Sequence, residues 1–402
     1  MGVGAALWAS LAFIPQTRDT YRHWRGEWGL LSFMIVCSMT VGAANTTGWA
    51  RFLGTLIGIT TAGLNWEVSQ QSAFALIPLG SLVAFWSFYV IIARGNAPMG
   101  RITLLAYNVS TLYAYSLSQK VDDDDDDEGG VDPIMKEILL HRFTAVTVGI
   151  LWGLIVCRLI WPISARKKFK EGLSMLYLQM GLIWKRGPLA ILLRSDCTRS
   201  YLRTGEQAAL QKYAARLDTL RSSAAREFEL RGPFPSEQNR LLMGCAHRLL
   251  DAFYAMSLVT QRKGNLTEGE RALLLYTADE RAMLCDRICH VFQVLASSLM
   301  LEYPLTDAIP SVARSRDRLL GKIFQFRKDH QHDAAEGSSN NGTTTNYVGL
   351  GRLGHLNVHE HDYALLYAYA LVTGQVAEEL KVVAKEIEGL FGVLDDETLL
   401  LQ

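Results

Sequence analysis

The chain has 402 residues, and its 40 Lys+Arg are matched by 40 Asp+Glu. That length accommodates two domains, and the balanced charge leaves no electrostatic footprint for a nucleic-acid partner. Its six Cys are scattered without disulfide-framework spacing, which fits a reducing compartment for the second half.

The charges are unevenly placed. Residues 1–163 carry 10 Lys/Arg and 12 Asp/Glu, and the remainder carries 30 and 28. Twelve of the first half's charges lie between Gln119 and Arg142, so its other residues, about 140 of them, hold only ten. That is too few for the surface of a soluble domain. All nine Trp lie at or before Trp184. The composition predicts a lipid-embedded domain followed by a soluble one.

In chain order, Val3–Ile14 is apolar but only 12 residues long, short of the roughly 17–25 needed to span a bilayer. It is either a buried half-helix or a span clipped at Met1. Clipping is the expectation, because the chain begins inside the apolar run. No basic leader or small-residue cleavage site marks it as a signal peptide. Leu30–Ala44 is a second segment, flanked by Trp24, Trp28 and Trp49. Phe52–Leu64 is a third, ending at Trp66, with Asn45–Arg51 as the intervening turn. Gly42, Gly54, Gly58 and Gly63 would let helices approach closely in lipid. Ala73–Ala93 runs 21 residues without a charge. Pro78 and Gly80 predict a bend in it, covered by neighbouring helices. Ile102–Leu117 carries Tyr107, Asn108, Tyr113 and Tyr115, a polarity that points toward the bundle interior. Phe143–Ile163 is the sixth segment. It ends at Trp161-Pro162 and is followed by Arg166, Lys167, Lys168 and Lys170, the largest cation cluster beside any span.

That cluster predicts the cytosolic side. Counting back, the Asp122–Glu128 loop and the Leu64–Gln71 loop lie outside, and the Arg94–Arg101 loop and the Asn45–Arg51 turn lie inside. The Thr17–Glu27 loop then falls outside despite Arg18, Arg22 and Arg25, one violation of the rule.

In the second half, Leu210, Tyr213, Leu217, Leu220, Ala224 and Phe228 recur at helical spacing within Tyr201–Leu230. Gly232-Pro233 and Pro235 stop that helix, and Ser236 is placed to cap the next, which runs to Thr260. Thr267–Glu302 follows, with Thr267 and Glu270 as a capping box, then Thr306–Arg327. Ala334–Asn346 is Gly/Ser/Asn/Thr-rich and reads as part of a disordered loop near 331–356. Asp362–Gly392 is the last helix. Its stripe of Tyr369, Val372, Val376, Leu380, Val383, Ile387 and Leu390 completes the bundle or forms a dimer seam. No β pattern of any length is present. The expected fold is all-α: a six-helix transmembrane module over 1–165 with a clipped first helix, then a cytosolic antiparallel helical bundle over 166–402.

Three side-chain clusters carry metal-ligating residue types. Asp122–Asp127 with Glu128 lacks spaced ligands and reads as a solvated loop. Cys285, Cys289 and His290 point different ways around one helix and read as core packing. His355, His359 and His361, near Glu360 and Asp362, read as surface polarity. No Walker A loop, Rossmann fingerprint, nucleophile elbow or catalytic triad is recognisable, so neither an enzyme nor a cofactor is expected. The cations of the membrane half are more informative. Arg51 opens the third segment and Arg158 lies within the sixth. A charge in a span faces the bundle interior or water, where Arg favours anions, or it snorkels to the near surface.

Arg51-Phe-Leu-Gly54-Thr55-Leu-Ile-Gly58 is similar to the Arg-x-x-Gly-Thr-x-x-Gly signature of the fusaric acid resistance-like and aromatic acid exporter superfamily, which plant aluminium-activated malate transporters share. His141-Arg142, Gly149 and the Pro162 terminus resemble that superfamily's sixth helix. Arg101-Ile-Thr-Leu-Leu-Ala-Tyr-Asn108, Leu112-Tyr-Ala-Tyr-Ser-Leu-Ser118 and Trp161-Pro-Ile-Ser-Ala-Arg166 resemble fungal members that carry a brefeldin A sensitivity-related C-terminal domain. The resemblance implies a six-helix transporter module with cytosolic termini, usually dimeric. Fungal relatives typically have two such modules, and this chain looks like the second plus the C-terminal domain. By the signature, Arg51, Gly54, Thr55 and Gly58 carry over, the two glycines as helix-packing positions.

The expected function is that of a multi-pass membrane transporter, or half-transporter, exporting organic, including aromatic, anions. Arg51 and Thr55, with Asn108 and Arg158, are the candidate path residues. The expected partners are the bilayer, the anion, and a second copy or a missing first module. The expected location is the plasma membrane or an endomembrane, with the C-terminal domain cytosolic. The rival expectation is a membrane scaffold in secretory or endomembrane trafficking that transports nothing.

Overall fold

A computed structural model describes residues 1–70, 72–118, 135–160, 162–193, 201–203, 205–227, 232–261, 266–306, 310–336 and 359–394. Fourteen α-helices account for nearly all regular structure among these residues. The chain divides into two compact units, Met1–Arg166 with Ser222–Pro233, and Lys167–Arg221 with Phe234–Gln402.

The first unit contains α1 (Gly2–Phe13), α2 (Pro15–His23), α3 (Gly26–Val36), α4 (Val41–Ser69), α5 (Ala73–Ile92), α6 (Ala97–Ser118) and α7 (Met135–Leu159). The long α4 is central. It packs against α6 and α7, while α3 packs on α7 and α5 on α6. Small residues make these approaches close. A Cβ at Gly149 would fall 2.2 Å from the Gly29 carbonyl oxygen on α3, and one at Gly58 would fall 2.6 Å from the Thr103 carbonyl oxygen on α6. Apolar clusters fill the remaining gaps, for example Val36, Val146 and Ile150 between α3 and α7.

The expected turn at Asn45–Arg51 is absent. Those residues lie inside α4, and the chain breaks earlier, between Cys37 and Thr40, where the Thr40 hydroxyl accepts from the Ala43 N–H at 3.3 Å. Gly42, Asn45 and Gly48 are poor helix formers in isolation. Here Gly42 and Gly48 are buried contact positions, so packing outweighs propensity. Between α1 and α3 the expected loop is largely helical as α2, and the chain then turns through Arg25 in the left-handed region (φ 49°).

α5 and α7 are long and apolar enough to cross a membrane, and so is α12 (Ala278–Leu301) of the second unit. α5 presents Phe74, Ile77, Leu82, Phe85 and Ile92 outward, as a lipid-facing helix does. The apolar stripe of α12 is instead buried within its own unit, where Leu284, Ile288, Phe292 and Leu295 form core. The candidate spans α5 and α7, with this exposed apolar surface, indicate an integral membrane protein in contact with the bilayer.

The second unit contains most of α8 (Ala165–Trp184), then α9 (Glu206–Ala224), α10 (Ser236–Thr260), α11 (Glu268–Tyr276), α12 (Ala278–Leu301), α13 (Val312–Glu336) and α14 (Ala364–Phe391). The element α8 was not anticipated from sequence. It supplies Phe169, Leu173, Tyr177, Met180 and Trp184 to the core they share with Leu249, Phe253, Phe292 and Tyr369. The expected helix Thr267–Glu302 is broken at Thr277. The Arg281 guanidinium reaches back to the Leu274 carbonyl and so satisfies the end of α11. The Thr267/Glu270 capping box is present. Ser236 is the first helical residue rather than the cap, which is Pro235. Thr306 lies in β1 (Leu305–Thr306), which pairs in parallel with β2 (Val393–Leu394), so α13 begins only at Val312. A 3₁₀ turn, Glu360–Tyr363, precedes α14. Residues 331–336 continue α13. The acidic run Asp122–Glu128, His355, Phe228 and residues 337–358 lie outside the described residues.

Candidate functional site

The i, i+4 spacing of Arg51 and Thr55 puts both on one face of α4, turned toward α3, α6 and α7. Both are buried, Arg51 to 2% exposure. From α7, Arg142 comes to the same place at 4% exposure. Arg51 donates from Nε and Nη2 to the Ser32 hydroxyl on α3 at 3.4 and 3.3 Å, and Ser32 in turn donates to the Trp28 carbonyl at 2.6 Å. Arg142 donates from Nη1 to the Ser110 hydroxyl on α6 at 2.9 Å, and its guanidinium lies 4.3 Å from the centre of the Trp28 ring. Above them Arg25 stacks on Tyr113, 4.5 Å from its ring centre, and bonds its hydroxyl.

Arg51, Thr55, Arg142, Trp28, Ala106 and Val146 line one small cavity of about 10 Å³, room for roughly one water. Among the described residues no carboxylate pairs with Arg51 or Arg142. A buried cation is costly unless a counter-charge or water compensates it. Two guanidiniums lining one cavity, with only hydroxyl and aromatic partners among the described residues, offer the chemistry that complements an anion.

Of the residues nominated from sequence, the fold brings Arg51 and Thr55 together and leaves two others apart. Asn108 lies on the outward face of α6 with Leu105 and Leu112, and Arg158 lies exposed in the last turn of α7. Gly54 and Gly58 lie against α6, where a Cβ would meet Ile102 at 2.9 Å and the Thr103 carbonyl oxygen at 2.6 Å respectively. Arg142, Trp28, Ser110 and Arg25 were not nominated. Arg142 carried a signal, since it stands four and eight residues before Val146 and Ile150 on one helical face. Its place beside the acidic loop concealed it.

In the second unit, the Cys285 and Cys289 thiols donate to the Trp184 and Gly181 carbonyls, each at 3.3 Å, while His290 is on the exposed face of α12. Ligand atoms of Glu270, His361 and Asp362 lie within 4.8 Å of one another. Both carboxylates there serve as helix caps: Glu270 accepts the Thr267 N–H, and Asp362 accepts the Thr267 hydroxyl and the His359 N–H.

No curated protein matches the chain in sequence. Residues 6–156, the stretch that builds the arginine cavity, match the family described as fusaric acid resistance protein-like, a family of membrane transporters.

Proposed function

We propose that residues 1–165 form a six-helix membrane module of α1 and α3–α7 that transports organic anions, aromatic carboxylates among them. The observation that carries this is the pair of buried arginines at one cavity, without carboxylate partners among the described residues, in an otherwise apolar helical unit. Arg51 and Arg142 supply the attraction, and Trp28 offers a flat face beside it. The family match over 6–156 supports a transport role. Arg158, exposed at the end of α7, would act at the rim rather than inside. The module works as a homodimer or beside another such module, and residues 166–402 lie on the cytosolic side. The Asn265-Leu-Thr and Asn341-Gly-Thr sequons therefore stay unglycosylated, and modification of either would invert this topology.

A second reading, a membrane scaffold without transport, is favoured by the size of the cavity. About 10 Å³ is far below the roughly 300–1,000 Å³ of ligand sites. On the transport reading this conformation is occluded and must open between α6 and α7, which touch little. Benzoate efflux from proteoliposomes separates the two. Transport predicts saturable efflux that Arg51→Gln and Arg142→Gln abolish in folded protein. No efflux above protein-free vesicles, or efflux untouched by both variants, would sink it.

A further inference from the structure

A second and much larger cavity lies elsewhere in the first unit, at the end where α7 leads toward α8. Residues 222–227 and 232–233 belong to the same unit and are held at this end. The Glu227 carboxylate accepts from the Ser164 hydroxyl and the Arg166 N–H, both at 3.1 Å. The Arg166 guanidinium donates to the Gly232 and Glu227 carbonyls, both at 2.9 Å. Gly42 admits the segment, since a Cβ there would fall 2.2 Å from the Ser223 carbonyl oxygen. Asn45 donates from Nδ2 to the Arg226 carbonyl at 3.4 Å. A piece of chain from far downstream is thus fixed against the first turns of α4.

Its consequence is a cavity of about 560 Å³ lined by Asn45, Thr47, Trp49, Asn96, Met99 and Arg226, among others. That volume falls within the range of small-molecule sites. Arg226 is the only charged residue among the described lining residues. Each of the Asn45 and Asn96 amides has one N–H beyond its bond to the Arg226 carbonyl or to the Met99 sulfur. Trp49, 64% exposed, stacks on Phe52 with ring centres 5.9 Å apart and leaves its other face open. Ala50, Leu53 and Met99 form an apolar wall. One guanidinium, side-chain amide donors and a flat indole beside an apolar wall are complementary to a carboxylate or phosphate carried on a flat or apolar body.

We propose that this cavity is a binding site for such an organic anion, completed by Arg226 of the returning segment and separate from the arginine cavity on α4. The same chemistry is offered by a dissolved organic acid and by the headgroup of an anionic lipid.

The test uses the full chain in nanodiscs. In one arm, benzoate is titrated calorimetrically into phosphatidylcholine discs. In the other, phosphatidic acid is added to the discs and its retention through detergent extraction is read by native mass spectrometry. The expected result is saturable binding in at least one arm, weakened about tenfold or more by Arg226→Ala, the scale of a charge-assisted hydrogen bond. Arg226→Lys should retain most of it and Trp49→Ala should weaken it, all read in an Arg51→Gln background so that the arginine cavity does not contribute. Binding of benzoate identifies a dissolved anion as the ligand, and retention of phosphatidic acid alone identifies the headgroup. No saturable binding in either arm overturns the proposal. So does binding that Arg226→Ala leaves unchanged in that background. Because the readout is binding, loss of flux in the Arg51 variant leaves this result intact.

Discussion

Replacing Arg51 by Met should make the protein more stable, not less. The side chain is 2% exposed in the middle of an apolar unit and has no carboxylate partner among the described residues. Holding an Arg at the centre of a membrane helix costs about 2.5–3.5 kcal/mol on insertion scales. The offset is weak. Hydrogen bonds to charged groups contribute roughly 1.5–3 kcal/mol at good geometry, but both bonds to Ser32, at 3.3 and 3.4 Å, are longer than the usual 2.7–3.2 Å. About 1 kcal/mol is a fair share for them. Ser32 is not orphaned by the change, because its hydroxyl already donates to the Trp28 carbonyl. The net expectation is a gain of about 1.5–2.5 kcal/mol for Arg51→Met. Arg142 has a shorter bond to Ser110 and a close contact with the Trp28 ring, the latter worth up to about 2 kcal/mol when desolvated. Arg142→Met should therefore be near neutral. Reversible unfolding in mixed micelles measures both, and benzoate flux measures what is lost. If Arg51→Met loses more than about 2 kcal/mol, or if its gain is smaller than that of Arg142→Met, Arg51 is a structural residue and the argument from uncompensated burial fails.

Three further outcomes follow from the packing and the surface. Gly58→Ala must push α4 off α6, since its Cβ would lie 2.6 Å from a backbone oxygen and 2.7 Å from the Ala106 Cβ; the expected loss is about 1–3 kcal/mol, and an unchanged unfolding midpoint would contradict the contact. Cys37 and Cys157 hold their sulfurs 3.6 Å apart, so a thiol oxidant such as diamide should close an intramolecular disulfide, seen by mass spectrometry and absent in Cys157→Ser; two free thiols after oxidation would separate α3 from α7. In the second unit, Arg186 binds both oxygens of Glu206 at 2.7 and 2.8 Å, and this bonding holds the Glu206 carboxyl below the usual carboxylate range. A lowered folded pKa stabilises fully above the unfolded value of about 4.3 and is lost as pH falls through the folded value. Glu206→Gln should cost about 1 kcal/mol at neutral pH, after discounting for partial exposure, and the difference should vanish in acid; a pH-independent difference would refute the pairing.

Composition and periodicity settled a good deal without coordinates. Ten charges in about 140 residues mark apolar surface, and Ala73–Ala93 became α5 almost unaltered, because a run without charges has one natural reading as a helix in lipid. The capping box at Thr267 was equally legible, since both of its bonds are local. Arg51 stood out as a cation opening an apolar segment, and Thr55 came only with the family signature it shares with Arg51. What sequence pattern missed depended on long-range neighbours. Gly48 falls in the stretch that sequence alone reads as a turn, yet Val36 and Ile150 pack against it inside α4, and α8 went unread although it forms much of the second unit's core. Asn108 and Arg158 were polar groups in apolar segments, and nothing local says which face of a helix turns inward. Only the tertiary structure decided that Arg142, rather than Arg158, meets Arg51, and that Arg226 completes a second cavity from a distance of 181 residues along the chain. A charge announces its own cost locally, but what compensates that cost is chosen by residues the chain brings back from elsewhere.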